Sequence, residues 1–95
     1  MAAYMVFTRH STRDKKELEL YSKMAPATLA GQPVIARVAY GHHEVVEGPE
    51  IEGMVILEFP TIEAAKAWYN SPSYLAAREH RFKGAEYSAV IVQGV

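Results

Sequence analysis

Apolar positions along this chain recur with two periods, and the switches between them mark out the elements. AYMVFTRH, residues 3–10, is rich in β-branched and aromatic residues and reads as a strand. Ser11 to Asp14 follows as a capping-box-like start to a helix, with Ser11 as N-cap and Asp14 at the third helical position. From Thr12 to about Ala25 the period becomes helical. Leu18, Leu20, Tyr21, Met24 and Ala25 share one arc, and Lys15, Lys16, Glu19, Ser22 and Lys23 lie opposite. Pro26 lacks an amide hydrogen and is expected to end or kink this helix.

VIARVAYG (34–41) is a second strand, and HHEVV (42–46) is expected to extend it past a bend at Gly41. Gly48-Pro49 supplies a turn, MVILEF (54–59) is a third strand, and Pro60 stops it. Thr61 caps a helix that places Ile62, Ala65, Trp68 and Tyr69 on one arc. WYNSPSYLAAREHRF (68–82) then breaks and restarts that helix, with Ser71 as N-cap and Pro72 at the first helical position. Gly84 is placed to cap its end, and YSAVIVQGV (87–95) is the last strand. The order β-α-β-β-α-β predicts one α+β domain over residues 1–95, a ferredoxin-like fold with both helices on one face of a four-stranded antiparallel sheet.

The far face of such a sheet is polar in a monomer. Here Met54 and Ile56 alternate with Val55, Leu57 and Phe59, and Ser88, Val90 and Val92 alternate with Tyr87, Ala89 and Ile91, so both faces are largely apolar. An uncovered apolar face predicts a partner, most simply a second copy packed sheet on sheet into a dimeric α/β barrel. Composition narrows the chemistry. The chain has no cysteine, which removes thiol nucleophiles, disulfides and cysteine-based metal sites. Its net charge of −1 gives a nucleic acid no basic surface to bind. No apolar run approaches the roughly 18 residues of a membrane span, and no leader is visible, so a soluble cytoplasmic protein is expected. Phosphate loops, dinucleotide fingerprints, GxSxG and HExxH are all missing, so no cofactor is called for.

With its helices placed, the segment ILEFPTIEAAKAWYNSPSYLAAREHRF resembles the EFP…A..W…SP.Y…R pattern of the domain-of-unknown-function family numbered 1330. Tyr21, Pro26, Gly31, Arg37 and Glu47-Gly48 extend the match over nearly the whole chain. The resemblance implies a ferredoxin-like fold of the dimeric α/β-barrel kind. Proteins of that wider fold group include cofactor-independent monooxygenases, dismutases and isomerases, while the resemblance to the family itself implies no particular activity. The sequence departs from the pattern at Gln32-Pro33, where a Gly- and Arg-containing turn is expected, and in a short loop after Gly48.

Several residues are candidates for chemistry. Glu58 is a carboxylate in an apolar strand, suited to general acid or base work or to a structural ion pair. Arg37 is suited to orienting an anionic group, or to pairing Glu58. Register decides between these: an all-loop 41–52 brings Arg37 to Glu58, whereas the favoured extended hairpin brings His42 there as a second proton carrier. His10 closes the first strand as a ligand-binding or surface histidine, and Tyr21 and Trp68 would line a small-molecule cleft between sheet and helices or serve only as core. His42 and His43 are adjacent and point to opposite faces in a strand, so no metal site is expected. Glu17 either projects between helix and sheet or complements the helix dipole, His80 reads as solvated, and Arg78, Arg81 and Lys83 read first as cations favoured in a last helical turn, with an anion-binding edge as the alternative. The expected function is a small-molecule-binding or cofactor-independent enzyme domain. The alternative is a non-catalytic dimeric binding or regulatory module.

Overall fold

In the computed structural model, which describes residues 1–95, seven elements follow one another. They are β1 (Ala3–Thr12), α1 (Lys15–Thr28), β2 (Ile35–Ala39), β3 (Gly53–Phe59), α2 (Ile62–Tyr69), α3 (Pro72–Gly84) and β4 (Ala85–Gln93). The strands pair antiparallel in the order β2-β3-β1-β4, the ferredoxin-like arrangement. Strand alternation sends Met5 and Phe7 of β1 and Leu57 and Phe59 of β3 into the core, where they meet Ala65, Trp68, Tyr74 and Ala77 of the helices. The opposite face carries Tyr4, Val6 and Thr8 beside Glu58, Ile56 and Met54.

The break between α2 and α3 works as its residues predict. Thr61 accepts the Ala64 amide at 3.0 Å, and Ser71 caps α3 with Pro72 beginning the helix. The restart turns Trp68 and Tyr74 toward each other, ring centroids 4.2 Å apart, with Phe59 and Phe7 beneath Trp68. Trp68 also donates its indole N–H to Thr28 Oγ1 at 3.1 Å, so the one polar atom of the ring is satisfied inside the core.

Other expectations are corrected. β1 continues to Thr12, so the N-cap of α1 is Asp14, whose carboxylate accepts the amides of Lys16 and Glu17; Ser11 remains paired in the strand. Pro26 does not end α1, which continues to Thr28; lacking an amide hydrogen, it forgoes the one helical bond to the Ser22 carbonyl. The second hairpin does not extend through Val46: β2 stops at Ala39 and residues 40–52 form a loop. The register therefore sets Ile35 opposite Glu58, with a bulge at Arg37, and His42 lies away from that carboxylate. His80 is not solvated. Its Nδ1 meets Glu17 Oε2 at 2.5 Å, tying α3 to α1 with both side chains about three-quarters buried (27% and 24% exposed).

Gly84 matters for space rather than for backbone freedom. A Cβ built there would stand 2.8 Å from the Leu18 backbone nitrogen. Its carbonyl accepts the amides of Arg13 and Asp14 at 2.7 and 3.0 Å, clamping the start of α1 to the end of α3. Gly84→Ala is therefore expected to lower unfolding free energy by about 1–3 kcal/mol, as overpacking does. Gly41→Ala, with nothing within 4 Å of the added carbon, is expected to stay within about 0.5 kcal/mol. Urea titration followed by circular dichroism measures both, and equal effects would contradict the close approach.

Candidate functional site

The space between α1 and the β2–β3 side of the sheet is not filled. It holds a cavity of about 450 Å³, lined by twelve residues of which ten are hydrophobic, so its walls are mostly apolar. Phe7, Leu57 and Trp68 form its inner wall, and Tyr21, Ala25 and Leu29 form the α1 side. A depression of similar volume outside α1 is lined by Arg9, Thr12, Lys15, Glu19, Ser22 and Lys23 with only one apolar residue, Leu18, and has the character of ordinary wet surface.

Phenols supply the polarity. Tyr21 and Tyr74 share a hydrogen bond at 2.8 Å, and Tyr40 and Tyr87 share another. Tyr40 is placed by an unusual backbone. Its φ of 56° lies in the left-handed region, which costs a non-glycine residue energy. Its ring lies over Gly53, where any Cβ would stand 2.6 Å from Tyr40 Cδ1, so glycine is required for the ring to cross the sheet and reach Tyr87. The Arg9 guanidinium sits 5.0 Å above the Tyr40 ring. It also lies 3.0 Å from Glu52 Oε1, a charge contact whose N–H is not aligned as a hydrogen bond. Glu52 is held below the usual carboxylate range, first by the Thr12 hydroxyl and then by Arg9.

Burial pushes the Tyr21 hydroxyl far above the ordinary phenol range, and neighbouring Tyr74 adds to the shift. Partial desolvation raises Tyr40 as well, helped by its bond to Tyr87, although the residue is 44% exposed. Tyr74 is also raised by burial, against the opposing charge of Arg81. These phenols stay neutral donors and acceptors in the folded protein.

The sequence-predicted residues fall in three places. Tyr21 and Trp68 line the cavity. Arg37 and Glu58 meet each other, Nε to Oε1 at 3.0 Å, on the opposite face of the sheet. His10 lies near the end of β1 against the Ser88 hydroxyl, and His42 is exposed in the loop, 3.5 Å from Glu44. No three His, Asp or Glu side chains converge as a metal site requires. Sequence reasoning missed Tyr40 and Tyr87, and read Arg81 first as a helix-end cation rather than as a buried one. Tyr40 and Tyr87 are 47 positions apart, and nothing local marks the pair. Arg81 carried a readable signal, since Tyr74, Ala77 and Arg81 repeat at helical spacing and all three are buried.

An open-faced α+β sheet with an apolar, phenol-edged cavity under its helices defines a ferredoxin-like protein with a small-molecule-sized cleft. The chain belongs to the family described as domain of unknown function (DUF1330), whose model matches residues 2–95. No curated protein matches it significantly. Among solved structures it is similar to a protein of unknown function from Rhodopseudomonas palustris, with TM-score 0.77, 14% identity, 99% of this chain and 82% of that one covered. A dimeric ferredoxin-like protein of unknown function from Jannaschia gives TM-score 0.74 and 11% identity, covering 99% of this chain and all of the other. A DABB family protein with a ferredoxin-like fold from Mesorhizobium loti gives TM-score 0.71 and 10% identity, covering 99% and 97%. At these identities the likeness is one of fold.

These raised phenols fix the sign of an alkaline effect. Unfolded tyrosine ionises near pH 10.0, while Tyr21, Tyr40 and Tyr74 hold their protons above it when folded. Above that pH the folded state binds more protons than the unfolded one, so stability falls as pH rises. It is fully present below pH 10.0 and is lost toward the folded-state values. In a tyrosinate absorbance titration the two enclosed phenols, Tyr21 and Tyr74, are expected to ionise only together with unfolding. Their titration in a chain with native circular dichroism would contradict the burial.

Proposed function

We propose that this chain is a homodimeric small-molecule-binding domain whose ligand is mostly apolar and enters the cavity between α1 and the β2–β3 side of the sheet. The observation that carries this reading is the cavity itself: about 450 Å³ left open beside a core whose rings otherwise pack closely. Ten of its twelve lining residues are hydrophobic, so the open cleft leaves apolar surface that a mostly apolar ligand would cover. Tyr40, whose ring reaches the same lining, would meet a carbonyl or hydroxyl of the ligand.

Proton transfer by Glu58, Arg37 and His42 is not part of this reading. Glu58 and Arg37 occupy each other on the far face of the sheet, and His42 is largely exposed. The cavity lining holds no carboxylate or imidazole. Binding is therefore favoured over catalysis, with the phenols orienting a ligand rather than exchanging protons with it.

The dimer is supported by the far face. Val38, Ile56, Val6 and Val90 form one unbroken apolar row across all four strands. Ile35 and Val92 flank it, and Ile35, Val90 and Val92 are about half exposed in the single chain. Sheet-on-sheet packing of two copies would cover this row, and the similar Jannaschia protein is described as dimeric.

Trp68 is the only tryptophan and lines the cavity, so its emission reports on the occupant. Titration with 1-naphthol and small aromatic ketones is expected to change that emission saturably. Ala25→Phe, which fills the α1 side, is expected to weaken binding at least about tenfold, a loss of roughly 1.4 kcal/mol. Unchanged emission across the series, or undiminished affinity in Ala25→Phe, would refute the reading. For the assembly, sedimentation velocity is expected to give twice the 10.6 kDa chain mass and to return the single-chain mass for Val90→Glu. A monomeric parent protein at micromolar concentration rules the dimer out.

A further inference from the structure

Arg81 is 2% exposed, yet no carboxylate lies within 4 Å of it. Its only hydrogen bond is a long one, 3.4 Å to the Tyr69 hydroxyl, and its Nε has no partner. The rings of Phe7, Phe82 and Tyr87 surround the guanidinium at 5.1–5.2 Å. Faces of rings attract a cation, but they do not accept the in-plane N–H donors of a guanidinium fork. A buried charge left in this state is costly, and buried charges are normally paired.

The group lines a second cavity, of about 290 Å³, separate from the first and lying between the α2–α3 helices and the edge strand β4. Tyr69, Phe82, Tyr87 and Ala89 supply its apolar walls. The local charge is positive. Arg13 lines the cavity, with its own NH2 bonded to the carbonyls of Phe82 and Ala85 at 2.6 and 2.8 Å. Arg78 stacks on the Tyr69 and Phe82 rings nearby. Glu86 is the one acidic residue of the lining, and its side chain belongs to an exposed position at the strand edge.

We propose that this second cavity binds a small aromatic carboxylate, with Arg81 as the residue that pairs the acid group. The planar, two-oxygen carboxylate matches the guanidinium fork, and the surrounding rings match an aromatic body. A single charge is appropriate to one free guanidinium. A phosphate dianion would need further donors, and Arg13 has already given its NH2 to backbone carbonyls. The site stands apart from the cavity proposed for the apolar ligand, and neither depends on the other.

The test uses the full chain with benzoate as probe, benzamide as its neutral counterpart of the same shape, and inorganic phosphate at matched ionic strength. Benzoate is expected to raise the melting temperature saturably, because a ligand of the native state stabilises by mass action. Benzamide and phosphate are expected to leave it unchanged. Arg81→Met keeps the length of the side chain without the charge, and Ala89→Phe narrows the cavity from the strand side. Both are expected to lose the benzoate shift, while Ala25→Phe keeps it. Should Arg81→Met fail to fold, the benzoate–benzamide comparison and Ala89→Phe still decide. Absence of a benzoate shift, an equal shift with benzamide, a larger one with phosphate, or a shift that survives Ala89→Phe would each overturn the assignment.

Discussion

Trp68 and Tyr74, with ring centroids 4.2 Å apart, join all three helices to the sheet. Trp68 rests on Phe59 and Phe7 and bonds Thr28 at the end of α1. Tyr74 bonds Tyr21 in the middle of α1. The stack exists because the helix stops at Asn70 and restarts at Ser71-Pro72, which turns two successive segments toward one point. Truncating a buried ring of this size typically costs roughly 3–5 kcal/mol, and here the loss would also release the contacts that position α1.

The same arrangement explains why the space under the helices divides. The core rings occupy the middle, over β1 and β3, and leave room at both sides. On the β2 side the room is bordered by α1 and edged with phenols. On the β4 side it is bordered by α3 and contains a guanidinium. The two spaces differ in character because α1 brings Tyr21 and Ala25 to one, while the last turns of α3 bring Arg81 to the other. The open sheet face belongs to neither. There the unbroken apolar row points to association, and the Arg37–Glu58 pair sits beside it, with Arg37 half exposed.

Strands and helices were legible in the sequence because local chemistry controls them. Thr61, Ser71 and Pro72 cap or begin helices through groups no more than three residues away, and strand alternation sorted the faces of β3 and β4 correctly. The errors arose where a distant contact competes with a local signal. Ser11 looks like a cap but is held in the sheet by pairing with β4, leaving Asp14 to cap. His80 looks solvated on its own helix, but Glu17, 63 positions earlier, is brought to it where α1 packs on α3. The loop 40–52 contains strand-like residues, yet Tyr40 turns out of the strand and commits its ring across Gly53.

By itself, then, the chain's sequence determined the element order, the two apolar faces of the sheet and the family, since these follow from periodicity, turn residues and a motif read along the chain. It also named Tyr21 and Trp68, which line the larger cavity. Tertiary structure alone decided that the cavity is open, that Arg37 meets Glu58 and that Tyr40 meets Tyr87. It alone decided that Arg81 is buried without an acid beside it. The reason is physical: a void and an unpaired charge are properties of how side chains from separate elements fail to fill or neutralise a space, and no local pattern encodes that failure.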